Sequence, residues 1–176
     1  WNYLGTEVAA TFPANAVDWI MIELRSDSTT IVNKRVGLLL SDGSIVDLDG
    51  SGPVKFKDVS EGNYYIVIRH RNHLPIMSAS MVSLNSTNSL LYDFSSAQTQ
   101  AFGNESMVDL GSSVYGMRAG DANNSTIITA ADVTPIIVNL NLSNYNNADV
   151  NMSGIVTAAD VTKIISNLNK VANVPD

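Results

Sequence analysis

The sequence predicts a mainly β sandwich followed by a small all-α module in which one loop-plus-helix unit occurs twice. Two observations carry this reading. Up to Tyr115 the 176-residue chain shows about seven short apolar runs separated by turn signals, the spacing of a sandwich. Between Asp121 and Asn169 a single motif repeats with a register of 28 residues. The boundaries that follow are an N-terminal strand or arm over 1–13, a β-sandwich over 14–116 and the repeat module over 117–176.

The arm comes first. Leu4, Val8, Ala10 and Phe12 give an extended apolar segment set off by Pro13-Ala14-Asn15-Ala16. It reads either as the first strand of its own sandwich or as an assembly arm donated to the open sheet edge of a second copy. Val17–Arg25 alternates, with Ile20, Ile22 and Leu24 on one face and Trp19 and Met21 on the other, as in a strand between two apolar layers. Arg35–Leu40 and Ile45–Asp49 flank Ser41-Asp42-Gly43-Ser44, a hairpin signal. Val54–Val59 and Tyr64–Arg71 flank Ser60-Glu61-Gly62-Asn63, a second one, and Leu74–Leu84 and Leu90–Phe94 complete the set. The basic cluster Arg69-His70-Arg71-Asn72-His73 is expected at a solvated strand end.

The repeat carries the chemistry. Ile128–Asn141 and Val156–Asn169 differ at only 128/156, 135/163 and 138/166, so 11 of 14 positions are identical. Each copy has side-chain oxygens at loop positions 1, 3, 5, 9 and 12, the pattern by which an EF-hand-type loop wraps a hard cation. These are Asp121, Asn123, Ser125, Thr129 and Asp132, and then Asp149, Asn151, Ser153, Thr157 and Asp160. Position 7 offers a backbone carbonyl and is apolar in both copies, Ile127 and Ile155. The four aspartates are the only acidic residues between Met117 and Pro175, so each loop has the two carboxylates that neutralise one divalent cation. Two calcium ions are the expected cofactors. Thr129 and Thr157 open T-x-x-D, a capping-box-like helix start. Val133, Ile136, Ile137 and Leu140, and again Val161, Ile164, Ile165 and Leu168, fall on one helical stripe. Thr126 stands where Gly154 makes the sharp turn of the second loop, so the first site is expected to be the weaker.

On these residues the duplicated unit resembles a dockerin, the calcium-binding docking module of bacterial extracellular proteins. The resemblance covers about a third of the chain and implies a cohesin-like partner. Against docking, Ala130-Ala131 and Ala158-Ala159 replace the polar pair that many dockerins present to cohesin. The segment FKDVSEGNYYIVIRHRNHLP resembles the strand–turn–strand of prealbumin-like sandwich domains found beside such repeats. A fibronectin-like or other immunoglobulin-like topology fits the same strands.

Composition narrows the function further. A net charge of −7 speaks against nucleic acid as a partner, since phosphate binding needs a basic face, and the absence of any eighteen-residue apolar run leaves no helical membrane span. With no cysteine there are no disulfides or thiol chemistry, and no nucleophile–base pair or phosphate loop stands out, so an enzyme is not expected. The leading expectation is a non-catalytic, secreted, calcium-binding subunit that self-associates head to tail into a surface or extracellular fibre of the adhesion or biofilm-matrix kind. The alternatives are docking to a cohesin-like protein, and a carbohydrate-binding or adhesion module using Trp1 and Trp19 as stacking platforms.

Overall fold

The computed structural model describes residues 5–9, 11–87 and 90–176. Its main sheet runs β3-β2-β1-β4-β5, with β1 Ala16–Arg25, β2 Ile31–Leu40, β3 Ile45–Val46, β4 Gly62–His70 and β5 His73–Met77. A short β6, Val82–Leu84, pairs with the start of β4. The strand pairs are antiparallel, with Met21 opposite Val36 and Arg69. A second, two-stranded layer is the hairpin of β7 Met107–Gly111 and β8 Val114–Met117. The two helices are short, α1 Val133–Val138 and α2 Ala158–Ser166.

The alternation of β1 does what its period requires. Ile20 and Ile22 join Ile68, Ile76, Ala101 and Met107 in a core that β8 and Phe94 cover, while Met21 joins Val36, Leu38 and Leu48 on the opposite face. Both faces are covered, as expected of a strand between two apolar layers.

Several expected strands come out differently. Ile45–Asp49 keeps only two strand residues, and the Leu74–Leu84 run breaks into β5 and β6. Val54–Val59 forms no strand: Val54 and Phe56 pack on the core, but side chains meet the backbone instead of a ladder, Arg35 donating to the Lys55 carbonyl and Asp47 Oδ2 accepting from the Lys55 amide. The second hairpin signal therefore joins no strand pair. Leu90–Phe94 is irregular up to a 3-10 turn at Phe94–Ser96, where Asp93 caps the Ser95 amide. The β7–β8 hairpin, which composition did not signal, turns at Ser112 and Ser113 with φ of 54° and 60°, the left-handed geometry that matches strand twist in two-residue turns.

The arm is not a strand among its described residues. Ala9 packs on the cluster of Met21, Val36, Leu38 and Leu48, and the Phe12 ring meets Trp19 edge-on at 5.5 Å. A segment laid across a sheet face has no ladder to join. Val8 is 82% exposed, and Leu4 and Ala10 lie outside the described residues.

The C-terminal third is less helical than expected. Its stripe is split: Ile136 and Ile164 are fully buried and Val133 and Val161 pack beside them, while Ile137, Leu140, Ile165 and Leu168 are exposed. Helices of six and nine residues give at most two and a half turns, so Leu140 and Leu168 fall beyond their ends, and Ile137 and Ile165 are rotated by about 100° from the buried position. Ile128, Val156, Ala148 and Val150 complete this core, and Leu74 of β5 closes it.

Candidate functional site

The two loops are copies of one hydrogen-bonded cage. In the first, the Ser125 amide donates to Asp121 Oδ1 at 2.8 Å and to Asn123 Oδ1 at 3.0 Å. The Ser125 hydroxyl donates to the Ile127 carbonyl at 2.9 Å, and Asp132 accepts from the Asn123 amide at 3.1 Å and the Thr129 amide at 2.8 Å. The second loop reproduces each contact 28 residues on. Ser153 donates to Asp149, Asn151 and the Ile155 carbonyl, and Asp160 accepts from the amides of Asn151 and Thr157. Oxygens from positions 1, 3, 5, 7 and 12 therefore converge in each loop. Position 9 is engaged otherwise: Thr129 and Thr157 cap the amides of Ala131 and Ala159, each in a full capping box closed by the position-12 aspartate.

The loops also hold each other. The Asn141 amide donates to the Val156 carbonyl and the Val156 amide to the Leu142 carbonyl; equivalently, the Asn169 amide donates to the Ile128 carbonyl and the Ile128 amide to the Lys170 carbonyl. The end of each helix is thus tied to the loop of the other copy.

The donor set suits a hard divalent cation. Asp132 and Asp160 are fully buried and Asp121 and Asp149 nearly so, and paired buried carboxylates are costly without positive charge beside them. Burial, and then the neighbouring Asp132 carboxylate, push the Asp121 carboxyl above its usual range, against the amides of Ser125 and Thr126. Among the described residues no three His, Cys, Asp or Glu side chains gather as a metal cluster, so amide, hydroxyl and carbonyl oxygens must complete any coordination. An all-oxygen mixture of that kind suits calcium better than zinc.

Next to the loops lies a junction that the sequence signals at one residue only. The Arg69–His73 cluster, expected to be solvated, is for the most part buried: His70, Arg71 and Asn72 are 3%, 5% and 0% exposed. Arg71 Nε donates to Asp18 Oδ2 at 2.8 Å, and its Nη1 donates to the Asn146 carbonyl between the helices. The Arg71 guanidinium lies over the Tyr145 ring, 4.6 Å from its centre, and the Tyr145 hydroxyl donates to Asp18 Oδ1 at 2.7 Å. Burial alone would push the Asp18 carboxyl up, but the nearby His70, the Tyr145 hydroxyl and Arg71 outweigh it and hold the carboxyl well below the usual range. His70 Nε2 is 3.1 Å from Asp18 Oδ2 in an arrangement too poorly aligned for a hydrogen bond. Burial, with His70 and Arg71 adding to it, pushes the His73 imidazole down to about 3. The acidic counterpart is Glu23 on β1, buried against Arg25, Arg69 and Lys34. Arg25 reaches on to the Pro175 carbonyl at 2.6 Å, so the chain's last residues also pack on the sheet. Alternation placed Glu23 on a covered face, and a charged residue there is the one signal in the sequence that such a junction exists.

Fold and site together define an unequal two-layer β domain on which a duplicated oxygen-lined loop–helix unit is seated. No protein-family model matches the chain, and no curated protein matches it. Among solved structures it is similar to a chain of two interface mutants, one N-terminal and one C-terminal, of the type II cohesin–X–dockerin complex from Acetivibrio cellulolyticus. Each is 20% identical over 87% of this chain and 82% of the other, with TM-scores of 0.47 and 0.48 respectively. Among the described residues no helix is long and apolar enough to cross a membrane.

Proposed function

We propose that the chain is a non-catalytic, extracellular, calcium-binding assembly module whose repeat docks a cohesin-like protein partner. The observation that carries this reading is the exposed apolar set of the repeat: Ile137 and Ile165, 61% and 65% exposed, and Leu140 and Leu168 occupy equivalent places in the two copies and take no part in the core that Leu74 closes. Large apolar side chains left exposed at matching places in both copies favour a protein partner. Calcium would be held in the first loop by Asp121, Asn123, Ser125, the Ile127 carbonyl and Asp132, and in the second by Asp149, Asn151, Ser153, the Ile155 carbonyl and Asp160. When bound, the ion neutralises the paired carboxylates and fixes the loops from which the helices start. Thr129 and Thr157 cap the helices and stand at position 9, where loops of this kind often engage the ion through water.

A second reading, a fibre built by head-to-tail strand donation, is favoured by Val8, which projects into solvent from the arm. Light scattering with millimolar calcium separates the two. A monomer that binds a type II cohesin probe, and loses that binding in an Ile137→Asp, Ile165→Asp double variant, is the expected result. Filaments of the chain alone under electron microscopy, absent after deletion of residues 1–13, would transfer the function to the arm.

A further inference from the structure

We propose that Asn72 is a positioning residue through which the β-sheet holds the first residue of both cages, so that cation binding in the two loops and the stability of the β4–β5 corner are coupled. The proposal rests on the calcium reading above and concerns how this chain's own residues hold the loops.

Asn72 lies between β4 and β5, fully buried, and each of its side-chain hydrogen-bonding atoms is engaged. Its main-chain carbonyl accepts from the amides of Gly120 and Asp121, both at 3.0 Å, where the first loop begins. Its Nδ2 donates to the carbonyls of Asn147 and Asp149, at 3.0 and 2.8 Å, where the second begins. Asp121 and Asp149 are position 1 of their loops, 28 residues apart, and this single residue of the sheet touches the backbone of both. Its Oδ1 is 2.7 Å from His73 Nδ1. An amide oxygen only accepts, so His73 carries its proton on Nδ1, and that bond fixes which way the Asn72 amide faces.

The neighbourhood is built for close approach. Gly120 has φ of +125°, and a Cβ there would lie 3.2 Å from the Ile164 backbone, so the chain turns tightly between α2 and Asn72. On either side of Asn72, Arg71 holds the Asn146 carbonyl and the Leu74 amide donates to the Arg118 carbonyl. Residues that orient metal ligands from behind typically change affinity by about 10–100-fold when removed. The bridge is main-chain towards the first loop and side-chain towards the second, so removing the side chain should place that loss on the second site.

The test uses the full chain and calcium alone. Calorimetry on the wild-type protein should give two calcium ions, and amide exchange should show stronger protection at Leu74, Gly120, Asp121 and along Ile68–Ile76 when calcium is added. Asn72→Ala keeps the main-chain carbonyl and removes the Nδ2 bonds, so it should weaken the second site by about 10–100-fold, leave the first site less affected, and reduce the protection that calcium adds along Ile68–Ile76. Wild-type affinity at the second loop in this variant would overturn the proposal. If the variant does not fold, wild-type exchange decides alone: calcium binding without added protection at the corner overturns the coupling, while no calcium binding at all removes the calcium reading, and the coupling with it.

Discussion

The Asp121 loop and the Asp149 loop make the same hydrogen bonds from different residues at the two places where backbone geometry is most demanding. At the sharp turn, Thr126 adopts φ of +66° where Gly154 has +86°. Glycine takes that conformation freely, whereas a β-branched residue there costs about 1–2 kcal/mol. In the helix that follows, Pro135 stands where the second copy has Lys163. The first copy starts as a 3-10 turn over Ala130–Asp132 and becomes α-helical only at Val133, while the second is one α-helix from Ala158 to Ser166. Proline has no amide to donate to the carbonyl four residues back, so the turn before it tightens. The cage tolerates both departures because its bonds come from the two aspartates and the backbone. Tight backbone geometry and the hydrogen-bonded oxygen cage are thus separable in this repeat.

The largest effect should come from moving the proline. Lys163→Pro should cost about 3 kcal/mol, because it removes a helical hydrogen bond in the uninterrupted copy. The reciprocal Pro135→Lys should raise helical circular dichroism and stabilise by a smaller amount. A Lys163→Pro protein as stable as wild type would mean that the two helices are not under comparable constraint.

Asp160→Ala comes next. With calcium present it should lose about 2 kcal/mol of stability, since the amides of Asn151 and Thr157 lose a charged acceptor, and calorimetry should show the second site gone. Asp132→Ala should match it within roughly 0.5 kcal/mol if the cages are equivalent. Exchanging the turn residues sharpens the comparison: Gly154→Thr should destabilise by about 1 kcal/mol and Thr126→Gly stabilise by somewhat less, as glycine's unfolded-state entropy offsets part of the relief. Thermal unfolding of both variants checks the signs.

The smallest effect is in pH. Burial and Asp132 raise the Asp121 carboxyl in the ion-free chain. A raised folded value means that this group's contribution is present below its unfolded pKa and is lost as pH rises through the folded value. In chelator, Asp121→Asn should therefore gain on wild type as pH rises from about 4 towards about 7. With calcium the order should reverse. A gap that does not change with pH in chelator would show that the carboxylates do not oppose folding.

What the sequence determined was local and repetitive: the alternation of β1 with both faces covered, the turn at Gly43, the 28-residue register, and the capping boxes of Thr129 and Thr157. Each follows from residues a few positions apart, where backbone preference and side-chain reach suffice. Tertiary structure alone decided the rest. Val54–Val59 has strand composition, yet its backbone is bonded by Arg35 and Asp47. The basic run Arg69–His73 looks like a solvated strand end, but partners far along the chain bury most of it: Asp18, Tyr145, and the starts of both loops around Asn72. A charge is expected in water until an opposite charge and hydrogen bonds are supplied in the interior, and here those partners come from far along the chain, Asp18 53 residues before Arg71 and Asp149 77 residues after Asn72.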